Sequence, residues 1–198
     1  MKKVILGLSF LLASFAYSQK SESSQQVLKN EAQINLATHF LPEKDRNEAK
    51  VIAYTSEIEM KVLRDSESYL TCVTDDPKKE GIQIVCYYKE LEDFMMRGRV
   101  LKSQGKTPIE IREIRKVEIE AGELNFPEGQ SMLYVLNGKE ENLDPETGVL
   151  KDAKLRYVIY TPYATQESTG LPLSPAAPGM PWLMDPGTHR AHIMVSPN

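Results

Sequence analysis

The residues in this chain best equipped for chemistry stand close together near its end, in Pro181-Trp-Leu-Met-Asp-Pro-Gly-Thr-His-Arg-Ala-His-Ile-Met194. The stretch holds the only tryptophan, two of the three histidines and two of the eight methionines. His189-x-x-His192 is the evident chelating pair, with oxygen available from Asp185 and soft sulfur from Met180, Met184 and Met194. That donor set raises copper, with zinc as the other candidate. Residues three apart share a face on a helix but point to opposite sides of a strand. Pro186 and Gly187 before the pair and Ile-Met-Val after it favour a strand. Chelation by both histidines would then require a bulge or turn at Arg190. The plainer expectation is one histidine buried and hydrogen-bonded and the other facing solvent. A metal centre on His189, His192, Met184 and Met194 stands as the second reading, and Trp182, Asp185, His189 and His192 as the candidate ligand-binding residues.

Other chemistries find less support. The chain has no G-x-S-x-G elbow, no H-E-x-x-H and no phosphate-cradling glycine loop. Ser168, Thr169 and Ser174 read as turn residues rather than nucleophiles, and no carboxylate spacing singles out a catalytic pair. No catalytic residue is assigned, and a small-molecule hydrolase ranks third.

Charge and address narrow the partners. Met1-Lys-Lys followed by the apolar run Val4 to Ala16 and by Ala16-Tyr-Ser18 has the form of a signal peptide over residues 1–18. The apolar run is shorter than the ~20 residues a bilayer span takes. No cysteine stands near the cut for lipid attachment. Removing residues 1–18 takes Lys2 and Lys3 from a chain of net charge −4, so the mature chain carries −6. An acidic chain lacks the clustered cations that nucleic acid or an anionic membrane surface needs. The expectation is a periplasmic or secreted protein, with no nucleic acid or membrane among its partners after cleavage. Its partner would be a small molecule or a protein. Cys72 and Cys86 are the only cysteines, and a pair in an oxidising compartment reads as a disulfide.

The elements that must position these residues follow in order. A helix from Ser23 or Ser24 to Phe40 is stopped by Pro42 and belongs to an N-terminal helical segment over 19–50. Ile58, Met60 and Val62 alternate with charged residues as a half-buried strand does. Val51 to Tyr54 either opens that strand or precedes it. Tyr69-Leu-Thr-Cys-Val73 is expected to return as the second strand of a hairpin, and Ile82 to Tyr88 as the next, with Cys86 facing Cys72. A stripe of Leu91, Phe94, Met95, Gly98 and Leu101 marks one helix over 89–103. Thr107-Pro-Ile-Glu110 opens another over 108–121 with a capping box and a proline at its first position. Ile111, Ile114, Val117 or Glu118, and Ala121 mark its inner face. Strands follow at Ser131–Leu136 and Lys154–Thr161, with turns at Asn137-Gly138 and Asp144–Gly148. From Pro162 to Gly187 the chain reads as a loop long enough to be functional, with Trp182 anchoring it to the body, and Ala191–Val195 closes the fold.

Val62-Leu-Arg64, Tyr69-Leu-Thr-Cys72, Asp75-Asp-Pro77, Gly81, Cys86, Leu133-Tyr-Val-Leu136, Asp144-Pro145 and His192-Ile-Met194 together resemble a family of uncharacterised exported bacterial proteins, over about Val51 to Pro197. Members carry Asn-Gly-Trp where this chain has Ser68-Tyr-Leu70. The resemblance implies export, a single domain and weight near Cys72 and His192, and it brings no activity. The resulting expectation is an α+β protein: a single domain over 51–198, built on an antiparallel-rich sheet of five or six short strands with helices on one face. The leading functional expectation is a non-catalytic binding or interaction module.

Overall fold

The computed structural model describes residues 28–54, 60–76 and 79–197. The signal segment 1–18, the Ser23 and Ser24 caps and Ile58 lie outside the described residues. Within them the chain forms α1 (Asn30–Thr38), α2 (Glu43–Glu48), β1 (Lys50–Tyr54), β2 (Met60–Arg64), β3 (Leu70–Val73) and β4 (Ile82–Tyr88). Then come α3 (Glu92–Ser103), α4 (Pro108–Glu120), β5 (Ser131–Gly138), β6 (Lys154–Tyr160), α5 (Gln166–Thr169), β7 (Trp182–Met184) and β8 (His192–Val195). The strands join in one eight-stranded sheet in the order β2-β1-β3-β4-β5-β6-β8-β7. Every neighbouring pair is antiparallel except β1 and β3. The protein is therefore α+β.

Strand alternation splits the apolar residues between two cores. Val51, Leu70, Cys72, Ile82, Ile84, Cys86 and Leu136 pack on one face beneath Leu36 and Ala37 of α1. Ile52, Val73, Tyr87, Leu133, Val158 and Tyr160 pack on the other with Leu91 and Phe94 of the α3 region. Cys72 and Cys86 are directly opposite on β3 and β4, fully buried, with Cα atoms 4.0 Å apart and a disulfide between them.

The start of α4 follows its sequence closely. Glu110 N–H donates to Thr107 Oγ1 at 3.3 Å and Thr107 N–H to Glu110 Oε2 at 2.8 Å, with Pro108 at the first helical position. The helix lies beside α3, tied to it by the Arg97–Glu118 ion pair and by Arg115 Nη1 donating to the Phe94 carbonyl at 3.0 Å. Its partly buried positions include Ile111, Ile114, Arg115, Glu118 and Ile119, so Ile111, Ile114 and Glu118 of the expected inner face do turn inward. Val117, 64 % exposed, and Ala121, exposed too, fall outside that face.

The sheet departs from expectation in three ways. It has eight strands rather than five or six, because Lys50–Tyr54 is a strand of its own and Trp182–Met184 adds an edge strand inside the long loop. Met60–Arg64 and Leu70–Val73 do not form a hairpin: β1 lies between them, antiparallel to β2 and parallel to β3. Helices also cover both faces, since Leu36 and Ala37 of α1 close the core opposite α3. In each case the deciding factor is which non-local surface each segment buries, and local pattern does not carry that information.

Candidate functional site

The C-terminal candidates occupy the β7–β8 corner. A tight turn connects the two strands: Asp185 adopts φ +51°, and its backbone carbonyl accepts from Thr188 Oγ1 at 2.8 Å. Its carboxylate pairs with Arg190 at 3.3 Å. Tyr163 N–H donates to the Thr188 carbonyl and Gly187 N–H to the Ala164 carbonyl, both at 2.8 Å, which fastens the long loop to this turn. The register of β7 on β8 sets Met184 opposite His192 and Trp182 opposite Met194. Trp182 is partly buried rather than fully enclosed.

The two histidines lie on different elements. His189 lies in the turn, its ring 5.6 Å from Phe126 and 6.4 Å from Phe94, and its Nε2 has no hydrogen-bond partner among the described residues. His192 lies on β8, 5.5 Å from the ring of Tyr160, with Nδ1 2.7 Å from the Arg190 carbonyl oxygen. Both are buried, which corrects the expectation that one would face solvent; only 4 % of His189 and 6 % of His192 is exposed. Desolvation is the main cause that lowers both pKa values, and the neighbouring Arg190 charge adds to it. Both imidazoles are accordingly neutral near pH 7. Among the described residues no group of three or more His, Cys, Asp and Glu side chains comes together in a way that could hold a metal ion.

A second candidate is absent from the sequence reading. Between the β1–β2 edge of the sheet and α3 runs a groove of about 490 Å³. Its apolar lining is Ile52, Tyr54, Met60, Val62, Met96 and Val100. Val62, Met96 and Val100 are 47 %, 49 % and 40 % exposed, a high value for apolar side chains that line one concavity. The polar wall is organised in pairs. Arg99 Nη1 donates to the Tyr87 hydroxyl at 2.9 Å, that hydroxyl donates to Glu92 Oε2 at 2.8 Å, and Arg99 Nη2 donates to Glu92 Oε1 at 2.8 Å. Lys102 pairs with Asp76 and sets its ammonium 5.4 Å from the centre of the Tyr54 ring. Burial raises the pKa of the Tyr54 phenol, against the opposing effect of Lys102. One signal in the sequence points here: Met96 and Val100 are apolar yet lie off the stripe through Phe94 and Leu101 that α3 buries.

Of the charged groups in this groove, Arg99 pairs with Glu92 and Lys102 with Asp76. The arrangement suits holding an apolar body between ordered walls. No family model, curated protein or solved structure matches this chain.

Proposed function

We propose that this chain is an exported, non-catalytic binding protein of the periplasm or the cell exterior, and that the groove between β1–β2 and α3 receives an apolar small molecule. The observation that carries this reading is the groove itself: its volume of about 490 Å³ lies within the range of small-molecule sites, and three of its exposed residues are large and apolar. Export is supported by the form of residues 1–18 and by the disulfide at the centre of the sheet, a bond that persists in oxidising compartments. The ion pairs Arg99–Glu92 and Lys102–Asp76 support a binding role over a catalytic one, because they hold the polar wall in place before any ligand arrives.

The test uses an apolar fluorescent probe, 1-anilinonaphthalene-8-sulfonate, on the mature chain. Saturable enhancement at one probe per chain is expected, and loss of it in Met96→Arg with an unchanged melting temperature. Absence of saturable binding, or equal binding by Met96→Arg, overturns the assignment.

A further inference from the structure

The edge of the sheet opposite the groove presents a different chemistry. Residues directly opposite on antiparallel strands project from the same face with Cβ atoms about 4.5–5.5 Å apart. Met184 and His192 are such a pair, and so are Trp182 and Met194. His192 and Met194 are two apart on β8 and share that face as well. The four residues therefore lie on one face of the β7–β8 pair and bring a block of one imidazole, two thioethers and one indole to it.

We propose that this block binds a monovalent soft metal ion, Cu(I), through His192 Nε2, Met184 Sδ and Met194 Sδ, with the indole of Trp182 beside it.

The protonation of His192 follows from its partner. A carbonyl oxygen only accepts, so the contact of 2.7 Å to Arg190 O places the proton on Nδ1 and leaves the lone pair on Nε2. The Nδ1 contact is the hydrogen bond that orients the ring. A ring fixed through one nitrogen with the other left open is how metal-ligating histidines are oriented. Thioether and imidazole are the donors that select Cu(I), whereas magnesium, calcium and manganese favour oxygen. The charge balance agrees. Arg190 lies next to the site, its charge offset by the Asp185 carboxylate at 3.3 Å. A single positive charge is tolerated there more readily than two. The flat face of an indole adds attraction for a cation. Met184, 37 % exposed, gives the ion a way in, and the unbranched thioether chains can bring sulfur to it. His189 takes no part, because its ring is turned to Phe94 and Phe126. The site is thus built on the facing strands, and the His189–His192 pair suggested by spacing does not form it.

Anaerobic titration of the disulfide-intact mature chain with Cu(I) buffered by bicinchoninate, with ascorbate as reductant, tests this. One Cu(I) per chain is expected, with quenching of Trp182 emission, competition by Ag(I) and none by Zn(II). Met184→Leu alters an exposed side chain and should leave the melting temperature unchanged. It should weaken Cu(I) by more than the roughly tenfold that loss of even an outer partner costs. Met194→Leu should act in the same direction, and Met96→Arg in the groove should leave uptake unchanged. The assignment is overturned by absence of stoichiometric uptake, by displacement with Zn(II), or by a Met184→Leu chain that binds Cu(I) as tightly as the parent.

Discussion

Arg115 of α4 lays its guanidinium over the ring of Phe94 in α3, 3.8 Å from the ring centre, while its Nη1 donates to the Phe94 carbonyl at 3.0 Å. Gly98, one turn further along α3, makes the approach possible: a Cβ there would lie 3.0 Å from Nη1. Desolvation lowers the guanidinium pKa to about 10, so the group gives up hydration that the ring and the carbonyl must replace. Arg115→Ala should therefore cost about 2–3 kcal/mol in urea unfolding. Arg115→Lys should recover less than half of the loss, since an ammonium cannot stack flat on the ring. Full recovery by lysine would mean that charge alone matters here.

Asp75 should make stability fall with rising pH. Burial pushes its carboxyl up to about 6 from 3.8, against the lowering effect of the Gln83 N–H that donates to Oδ1 at 2.8 Å. Between those two values the native chain holds the proton more tightly than the unfolded chain does, so stability falls as pH rises through that window. Asp75→Asn keeps an oxygen for Gln83 and removes the titration. Urea midpoints across the window should flatten in the variant and be higher than those of the parent at pH 7. A slope unchanged by the substitution would place its origin in another group.

Gly148 fixes the β5–β6 connection against α1. It adopts φ +74°, and a Cβ there would collide with the Ala32 carbonyl oxygen and lie 3.0 Å from the Leu36 backbone nitrogen. Asn35 Nδ2 donates to the Thr147 carbonyl at 2.6 Å in the same contact. Gly148→Ala should then cost at least about 2 kcal/mol, from the left-handed backbone and the displaced helix together. Hydrogen exchange should locate the loss in α1 and this loop, and a variant as stable as the parent would contradict the packing described.

The Cys72–Cys86 bond closes a separation of 14 residues between two buried strands. Cys72→Ala should cost about 2–4 kcal/mol under oxidising conditions and little when the parent is already reduced, because the cross-link acts mainly on the unfolded chain. An equal loss in both conditions would assign the role of the cysteine to packing.

Local features were legible from the residues alone. Thr107, Pro108 and Glu110 specify the start of α4 because cap, proline and reciprocal acid act within one turn. The alternation of Ile82, Ile84 and Cys86 against Gln83, Val85 and Tyr87 makes β4 a strand between two cores, and a turn of suitable length lets Cys86 reach Cys72. Trp182, Met184, His192 and Met194 stood out by their types, but which of them would lie opposite one another could not be read.

Tertiary structure decided the rest, because strand pairing joins residues distant in sequence through burial rather than through local preference. Lys50–Tyr54 enters between β2 and β3 and so separates two segments that sequence order would make a hairpin. That insertion makes β2 the sheet edge and leaves Met60 and Val62 to face α3 across a groove. Trp182–Met184 becomes a strand only by pairing with β8, which sets Met184 against His192 while the turn carries His189 away to Phe126. A spacing of three residues could suggest that the histidines act together, but a one-residue change of register reverses which face each side chain occupies, and only the completed sheet sets that register.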